Sequence, residues 1–311
     1  MIGLSGLSWV AKNATIMLSI GVFIGIAFQP LARLLAPWLE ILIIFNLSLS
    51  MIRIAPETLT KYINRPFLIA SIFVFSMGVA PLILYFFTTT TGLEGPLGAG
   101  IVFHALTTPI MSAPALCILF GLDAALALIV TVMSYALVPF TLPPLALWLL
   151  GIELDVTVVE LTWRLGRIVG TSFLIAFIVR KTFNQNFLNS QSSHMDGIMV
   201  LGMVGVAVSI MSGLPNFIAD KPEFALTVLI VTYAINVVLQ VLSTALFWKL
   251  GRRQAITVAL ITGNTNVALV LAAVSESASY ELLVYFVLGQ FPIYTLPLIA
   301  VPIYKKVLER R

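Results

Sequence analysis

The sequence predicts an all-α integral membrane protein with ten transmembrane helices arranged as two inverted five-helix repeats. Three observations predict this fold: the composition, the lengths of the apolar stretches, and two interrupted spans at matching places in the two halves. Of the 311 residues, 60% are hydrophobic and 10% are charged, against roughly 45–50% and about 25% in soluble domains. So few charges cannot cover a water-soluble body, which argues against cytosolic enzymes, nucleic-acid-binding proteins and disordered chains.

The apolar stretches have the length that membrane helices need. A bilayer core about 30 Å thick requires roughly 20 apolar residues per helix. We expect the first stretch to be a retained helix, because it lacks the small-residue cleavage site of a signal peptide. The ten predicted spans cover residues 13–29, 34–52, 66–88, 97–120, 124–150, 162–180, 196–213, 223–248, 254–275 and 281–303.

The positions of lysine and arginine predict the orientation, since basic residues are retained on the cytoplasmic side during insertion. With a cytoplasmic N-terminus, 13 of the 17 basic residues fall in the inner segments. They are Lys12, Arg53, Lys61, Arg65, Arg180, Lys181, Lys249, Arg252, Arg253, Lys305, Lys306, Arg310 and Arg311. We therefore expect a multi-pass protein of the cell inner (plasma) membrane with both termini cytoplasmic. The net charge of +4 does not indicate a nucleic-acid partner, because topology already requires these residues.

The chain repeats a pattern after about half its length. Thr141-Leu142-Pro143 in the fifth span recurs 154 residues later as Thr295-Leu296-Pro297 in the tenth. The same offset places residues 108–114 of the fourth span over residues 262–268 of the ninth, and both are clusters of proline, glycine and small polar residues. Because each half has five spans, the second half enters the membrane with opposite polarity. The sequence thus predicts one transmembrane domain over residues 1–311, with repeat one at about 1–155 and repeat two at about 156–311.

Paired interruptions in inverted halves are the best indication in a sequence of a transporter's binding site. In hydrocarbon an unpaired N–H or C=O costs several kcal/mol, so a helix unwinds only where protein, water or a ligand satisfies these groups. We expect residues 107–114 and 261–266 to be unwound and to meet mid-bilayer, with peptide groups exposed to a ligand. The alternative is that Pro109, Pro114 and Gly263 only kink two packed helices.

Several motifs resemble the bile acid:sodium symporter (BASS) family. They are the stretch from Gly98 to Gly151, Phe45-Asn46-Leu47-Ser48-Leu49, and Gly289-Gln290-Phe291-Pro292-Ile293-Tyr294, and with the order of spans they cover nearly the whole chain. The resemblance implies a core domain of helices three to five and eight to ten, with broken helices four and nine crossing in it. It also implies a panel domain of helices one, two, six and seven that moves against the core. Members of this family move organic anions, such as bile acids and smaller carboxylates, usually with sodium.

The sequence departs from the family at the ion site. Family members carry a glutamate, a glycine and Gln-Asn in the second broken helix. Here Ile261 aligns with the glutamate and Thr265 replaces the glutamine, whereas Gly263 and Asn266 keep their types. The Ser-Asn pair of the first broken helix is replaced by Ala113-Pro114.

These departures leave sodium coupling open. A weak sodium site is expected at Ser112, Thr131, Thr265 and Asn266, without the carboxylate that would offset the charge of the ion. No other cofactor is expected.

Polar residues near the predicted interruptions are the candidates for substrate or ion binding. They are Thr108, Ser112, Thr131, Ser134, Asn264, Thr265, Asn266 and, in the tenth span, Gln290. His104, with a reference pKa of about 6.5, could carry a proton in place of sodium. The alternative is a neutral histidine that bonds to a neighbouring helix.

Five further residues inside or beside the spans are polar or charged. The resemblance implies that Asn46 belongs to the panel, from which it could meet the substrate from the other side of a central cavity. Asn236 and Gln240 share a helix face, which either looks toward the crossing or bonds to another helix. Asp123 and Glu276 are expected to cap or end the broken helices.

The expected function is secondary active transport of an organic anion by alternating access, with the lipid bilayer as its surroundings. Half-helix N-termini and side-chain amides would bind the carboxylate. The sequence contains no HExxH, CxxC, GxSxG or P-loop motif, so no enzyme activity is expected. Two alternatives stay open. One is an auxin-efflux-carrier-like transporter of organic anions that is independent of sodium or linked to protons. The other is a channel or sensor that uses the same scaffold without pumping.

Overall fold

The computed structural model describes residues 2–53, 62, 64–151 and 155–309. These residues are almost entirely helical, and within them the only β-type pairing is one isolated bridge. With its many long apolar helices, the protein is an all-α, multi-pass membrane protein. Three of the basic residues that the sequence places on the cytoplasmic side lie outside the described residues, namely Lys61, Arg310 and Arg311.

Eighteen α-helices are described, and we number them in chain order. Those of the first half are α1 (Ile2–Lys12), α2 (Ala14–Ala27), α3 (Gln29–Leu35), α4 (Leu39–Ile52), α5 (Pro66–Val74), α6 (Ala80–Thr91), α7 (Gly95–Leu106), α8 (Ala113–Leu119) and α9 (Ala124–Leu150). Those of the second half are α10 (Val158–Thr182), α11 (Gln185–Ser190), α12 (Ser192–Ile210), α13 (Leu214–Asp220), α14 (Pro222–Phe247), α15 (Arg252–Gly263), α16 (Val267–Val274), α17 (Tyr280–Leu288) and α18 (Gln290–Glu309). A π-helical segment, Phe75–Val79, joins α5 to α6.

Seven uninterrupted stretches of helix in the described part of the chain are long and apolar enough to cross a membrane, or eight if one bent pair is a single span. They correspond to seven of the ten predicted spans. The other three predicted spans fall on short helices. The first, residues 13–29, falls on α2, which meets α1 at a bend of 90°. The fourth falls on α7 and α8, and the ninth on α15 and α16. The count of ten spans therefore stays a prediction, and it depends on whether each short pair crosses as one unit.

The chain divides into two compact units. The first is Met1–Ile54 with Gly166–Pro222, and the second is Ala55–Leu165 with Glu223–Arg311. The first unit holds most of predicted spans one, two, six and seven, and the second holds spans three to five and eight to ten. The roles of core and panel stay predictions.

In the first unit, α1, α2, α3 and α4 all pack against α12. Glycine makes a close approach of α1 to α12 possible, since a Cβ added to Gly197 would overlap the carbonyl oxygen of Leu7. Small residues at such contacts let membrane helices approach closely. Arg53, after the end of α4, forms an ion pair with Asp196 of α12.

In the second unit the interrupted helices are buried in the interior. Residues 98–113 and 255–271 are all buried. α7 packs against α6 and α17, and α15 packs against α9 and α18. As expected, Asp123 caps a helix: its Oδ1 accepts a hydrogen bond of 3.1 Å from the backbone N–H of Leu126 in the first turn of α9.

Candidate functional site

Two pairs of short helices are interrupted where the sequence predicts a break. α7 ends at Leu106 and α8 begins at Ala113, while α15 ends at Gly263 and α16 begins at Val267. The non-helical residues are 107–112 and 264–266, slightly shorter than the predicted 107–114 and 261–266. We call these two non-helical segments together the crossing.

The two segments of the crossing pair with each other through their backbones. Pro109 and Thr265 form an antiparallel bridge. On its two sides the N–H of Ile110 donates to the carbonyl of Asn264 at 2.9 Å, and the N–H of Asn266 donates to the carbonyl of Thr108 at 2.6 Å. Each unwound segment thus supplies the hydrogen-bond partners that the other lost when its helix ended, so the main chain can leave the helix inside a buried core.

Side chains add two further connections between the same segments. The hydroxyl of Thr107 donates to the carbonyl of Asn266 at 3.0 Å. The hydroxyl of Thr265 donates to the carbonyl of His104, in the last turn of α7, at 2.9 Å. The carbonyl oxygens of Thr108, Asn264 and Asn266 therefore already accept hydrogen bonds. This differs from the expectation of peptide groups left free for a ligand, because the two extended segments satisfy each other.

Tyr135 of α9 binds both segments of the crossing, and sequence reasoning missed it. Its hydroxyl donates to the carbonyl of Pro109 at 3.1 Å and accepts from the side-chain amide of Asn266 at 2.6 Å. The hydroxyl of Thr108 lies close to that of Tyr135, outside hydrogen-bond geometry. Tyr135 follows Ser134 and stands one helical turn after Thr131. A tyrosine on a face that already carried two candidate residues was the signal that could have identified it.

A second polar chain, on α14, holds the end of α15. The amide of Asn236 donates to the carbonyl of Gly263 at 2.7 Å, and the amide of Gln240 donates to the carboxamide oxygen of Asn236 at 2.6 Å. The hydroxyl of Tyr304 in α18 donates in turn to Gln240. Of the two readings of Asn236 and Gln240, bonding to another helix is the one that these hydrogen bonds show, and Asn236 makes its bond to the residue just before the crossing. A Cβ on Gly263 would overlap the side chain of Gln240, which explains why glycine ends α15.

Several buried polar atoms of the second unit have no hydrogen-bond partner among the described residues. They are the hydroxyl oxygens of Thr108, Ser112, Thr131, Ser134 and Tyr285, the carboxamide oxygen of Asn264 and both ring nitrogens of His104. Buried polar groups without partners are rare in native proteins, and each calls for an explanation such as a bound water, ion or ligand. Six of the ten predicted site residues belong to this set. Five of them have an unpartnered side-chain oxygen, and the sixth, His104, has two unpartnered ring nitrogens.

Sodium, which the family resemblance implies, does not fit the residues present. The four predicted ligands offer only neutral oxygens: the hydroxyls of Ser112, Thr131 and Thr265, and the carboxamide oxygen of Asn266, which also accepts from the N–H of Leu269 at 3.3 Å. All four side chains are neutral, and the buried Ile261 stands where the family has its glutamate. A cation in a low-dielectric site needs a compensating negative charge, and these residues do not supply one.

Four predicted site residues are not joined to the crossing by any described side-chain hydrogen bond. They are Thr131 and Ser134, whose hydroxyls have no partner among the described residues, and Gln290 and Asn46. The amide of Gln290 donates within its own chain segment, to the carbonyl of Phe286 at 3.3 Å. Asn46 belongs to the first unit. There its amide donates to the carbonyl of Leu42 at 2.7 Å, its carboxamide oxygen has no partner among the described residues, and Gly202 leaves room for it.

Arginines lie at the C-terminal ends of both second half-helices. Arg253 donates to the carbonyl of Leu122, just after α8, at 3.0 Å. Arg164 donates to the carbonyl of Ala273 in the last turn of α16 at 3.2 Å, and it also pairs with Glu276 at 3.5 Å. Glu276 lies just after the end of α16, where it was expected to cap or end the helix. Its described contact there is the ion pair with Arg164. Cations at helix C-termini satisfy free carbonyls and complement the helix dipole.

A polar cluster joins the segment before α5 to the start of α9. The hydroxyl of Tyr62 donates to the Asp123 carboxylate at 2.5 Å and accepts from Gln254 at 3.3 Å, while the N–H of Asp123 donates to the hydroxyl of Thr257 at 2.9 Å. Burial, and then the hydrogen bond to Asp123, raises the pKa of Tyr62 to about 12. Both causes favour the neutral phenol.

The sequence matches no protein-family model and no curated protein. The site is therefore described by the geometry of this chain alone.

Proposed function

We propose that this protein is a secondary active transporter that moves an organic anion by alternating access around the crossing. The single observation that carries the proposal is the backbone pairing of two helix interruptions at Pro109 and Thr265. The second half-helices that follow them begin at Ala113 and Val267, 154 positions apart, which is the offset of the sequence repeat. Broken helices at corresponding places in two halves are typical of secondary transporters with a central site.

The polar atoms around the crossing support a binding site better than a static kink. A proline kink needs no free hydroxyls, yet Thr108, Ser112, Thr131 and Ser134 bury theirs without partners among the described residues. Leaving such groups unsatisfied costs about 1–3 kcal/mol each. A bound ligand with several hydrogen-bonding atoms would recover this cost, so the unpaired groups favour a site that is occupied during the transport cycle.

The substrate class follows from charge and from the family resemblance. The buried polar residues around the crossing include no lysine or arginine, so the site has hydroxyl and amide donors but no fixed cation. Such donors suit one carboxylate or sulfonate group on an otherwise apolar or weakly polar molecule. A bile-acid-like anion or a small monocarboxylate meets that description, and a polyanion does not.

One observation favours the second candidate, a sodium-independent transporter of the auxin-efflux-carrier type. The position of the family's sodium-binding glutamate is Ile261, which is 1% exposed. The site therefore lacks the charge on which sodium coupling depends. On either reading, the protein acts in the cell inner (plasma) membrane with both termini on the cytoplasmic side.

Flux through reconstituted protein tests the proposal. The full chain is placed in liposomes, and uptake of labelled pyruvate, hexanoate and taurocholate is followed with sodium, proton or no gradient. Uphill accumulation of any of the three supports transport. Passive flux without saturation would indicate a channel, and binding without flux would indicate a sensor; either result contradicts the proposal.

Matched threonine variants connect the flux to the crossing. Thr131→Val keeps the shape of a buried residue and removes one unpaired hydroxyl. Thr227→Val makes the same change on the exposed side of α14, where the hydroxyl only donates to its own helix. We expect Thr131→Val to weaken substrate binding about tenfold and Thr227→Val to leave it unchanged. Equal effects would show that the flux does not depend on these hydroxyls.

A further inference from the structure

His104 is completely buried at the end of the half-helix that leads into the crossing. Its side chain is 0% exposed, and it lies three residues before the first non-helical residue, Thr107. Its backbone carbonyl accepts the hydroxyl of Thr265 from the other interruption. His104 is thus connected to both segments of the crossing.

The imidazole ring of His104 has no hydrogen-bond partner among the described residues. Both ring nitrogens are buried and unpartnered. The ring lies close to the backbone of Gly263 without forming a hydrogen bond of normal geometry, and it meets the ring of Tyr285 edge to face with 6.4 Å between centroids. A histidine that only joins two helices would place at least one nitrogen in a well-formed hydrogen bond, and neither nitrogen of His104 makes one with the described residues.

No carboxylate of the described residues contacts the His104 ring. The elements that pack against α7 are α6, α9, α16, α17 and the π-helical segment. Their titratable residues are Tyr85, Tyr135, Tyr280, Glu281 and Tyr285. Of these, Tyr285 is the one whose ring meets the imidazole. Glu281, the acidic residue of the set, stands one turn before Tyr285 in the first turn of α17 and is half-buried.

We propose that His104 binds a proton together with a monovalent organic anion, so that the substrate's own acidic group is the counter-charge of the imidazolium. This inference rests on the proposed function and names its coupling ion. An imidazolium alone in this core would be an uncompensated buried charge, and so would a carboxylate alone among hydroxyls. Bound together they form a neutral pair, so each one favours the binding of the other.

The proposed step involves one proton and no change in any bond of the substrate. A proton from the water on one side of the membrane adds to the lone pair of one His104 ring nitrogen as the anion binds. The pair is then exposed to the other side, where the anion leaves and the proton returns to water. One proton and one anion cross in the same direction, and no sodium is needed.

Binding measured against pH tests this linkage. Purified full-length protein is titrated with two matched pairs, hexanoate with hexane-1-sulfonate and cholate with taurocholate, between pH 5.5 and 7.5 in sodium or choline salts. One proton bound per anion requires the Kd to fall about tenfold for each unit by which the pH falls. The sulfonates stay ionised throughout, so a pH dependence that they share with the carboxylates comes from the protein and not from neutral acid. We expect both pairs to share it, with and without sodium.

Variants identify the group that takes the proton. His104→Gln should make the Kd independent of pH, whereas His194→Gln, at the other histidine of the chain, should leave the slope unchanged. Glu281→Gln tests the nearest acidic residue along α17. A slope that survives His104→Gln but disappears in Glu281→Gln overturns the proposal, and so does a dependence shown by the carboxylates alone.

If His104→Gln does not fold, nuclear magnetic resonance of the histidine ring tests the same proposal without changing His104. With ¹⁵N-labelled histidine in the His194→Gln protein, a single imidazole remains, and its two nitrogen shifts report its protonation. We expect a neutral ring at pH 7 without ligand and an imidazolium when a sulfonate is bound. A ring that stays neutral in the complex overturns the proton linkage and leaves the anion site intact. If no anion of either pair binds at any pH, the proposed function fails and the linkage fails with it.

Discussion

Asn266 connects three elements around the crossing, and both ends of its side-chain amide group form hydrogen bonds. Its amide donates to Tyr135, and its carboxamide oxygen accepts from Leu269 as the N-cap of α16. The backbone N–H of the same residue donates to Thr108. A residue with so many partners has a structural role in addition to any contact with substrate.

We predict that Asn266→Ala lowers the free energy of unfolding by about 2 kcal/mol, the combined effect of a lost cap and a lost buried hydrogen bond. Asn264→Ala is the matched control, because the amide of Asn264 donates only to the carbonyl of Leu260, in the last turn of the preceding helix α15, at 3.1 Å. It should cost less than about 1 kcal/mol. Thermal unfolding of the purified protein in one detergent measures both, and equal losses would contradict the central role of Asn266.

The cluster at Tyr62 gives a stability that depends on pH in the alkaline range. The pKa of Tyr62 is raised to about 12 in the folded protein, against about 10 in an unfolded chain. A raised pKa stabilises the fold fully below the unfolded value, and this contribution is lost as the pH rises from about 10 through about 12. We predict that the wild type loses more stability than Tyr62→Phe between pH 10 and 12. Unfolding temperatures of the two proteins at pH 8, 10 and 11.5 provide the comparison. A constant difference across this range would mean that Tyr62 does not titrate with folding.

At the scale of the element, the sequence predicted where the helices are interrupted. It did not predict which groups form hydrogen bonds with the unwound backbone. Pro109 and Gly263 predict a break, because proline lacks an N–H and glycine weakens a helix. The partner of each unwound segment lies more than 150 residues away in the other half, and pairings at such a distance leave no periodic signal. Tyr135 was missed for the same reason, since a tyrosine in an apolar span is usual and only its contacts distinguish it.

The two arginines at the half-helix ends were also assigned incompletely from sequence. Positive charge near a membrane surface predicts the orientation of the chain in the membrane. It does not predict to which backbone carbonyl an arginine donates a hydrogen bond. Arg164 is only 21% exposed and contacts Ala273 and Glu276, whereas Arg167, one turn later on the same helix, is 55% exposed and pairs with Glu40. The two residues differ in burial and in whether they hold a helix terminus.

We predict that Arg164→Gln destabilises the protein by about 1–2 kcal/mol, because it removes a cation from the C-terminal end of α16 and leaves a carbonyl without its partner. Arg167→Gln should cost less than about 1 kcal/mol, as is usual for an exposed ion pair. Unfolding in a denaturant series at low and at high salt measures both. If high salt removes the effect of Arg164→Gln completely, the contact is a surface ion pair and not a cap.

For the whole molecule, the low fraction of charged residues predicted a membrane protein, and the lengths of the apolar stretches predicted that it spans the membrane as helices. The length rule found seven of the ten predicted spans as single stretches of helix. The other three are the places where helices are short or sharply bent, so a rule based on uninterrupted length fails there. Two of these three spans, the fourth and the ninth, are the ones that form the candidate site. This is expected where a membrane helix unwinds for a ligand.

Proton linkage through His104 leads to a prediction for transport by the whole protein. One proton and one monovalent anion carry no net charge together, so a membrane potential should not drive their uptake. A process that moves one net charge gains about 2.3 kcal/mol at 100 mV, which corresponds to roughly a 50-fold change in accumulation. In liposomes with a potassium diffusion potential of either sign, we therefore expect the accumulation of taurocholate to stay constant within about twofold. A pH gradient, acid on the side of entry, should raise it about tenfold per unit. A response to potential of the 50-fold size would instead require an uncompensated charge to move with the anion, and the pairing of one imidazolium with one acidic group would then be wrong.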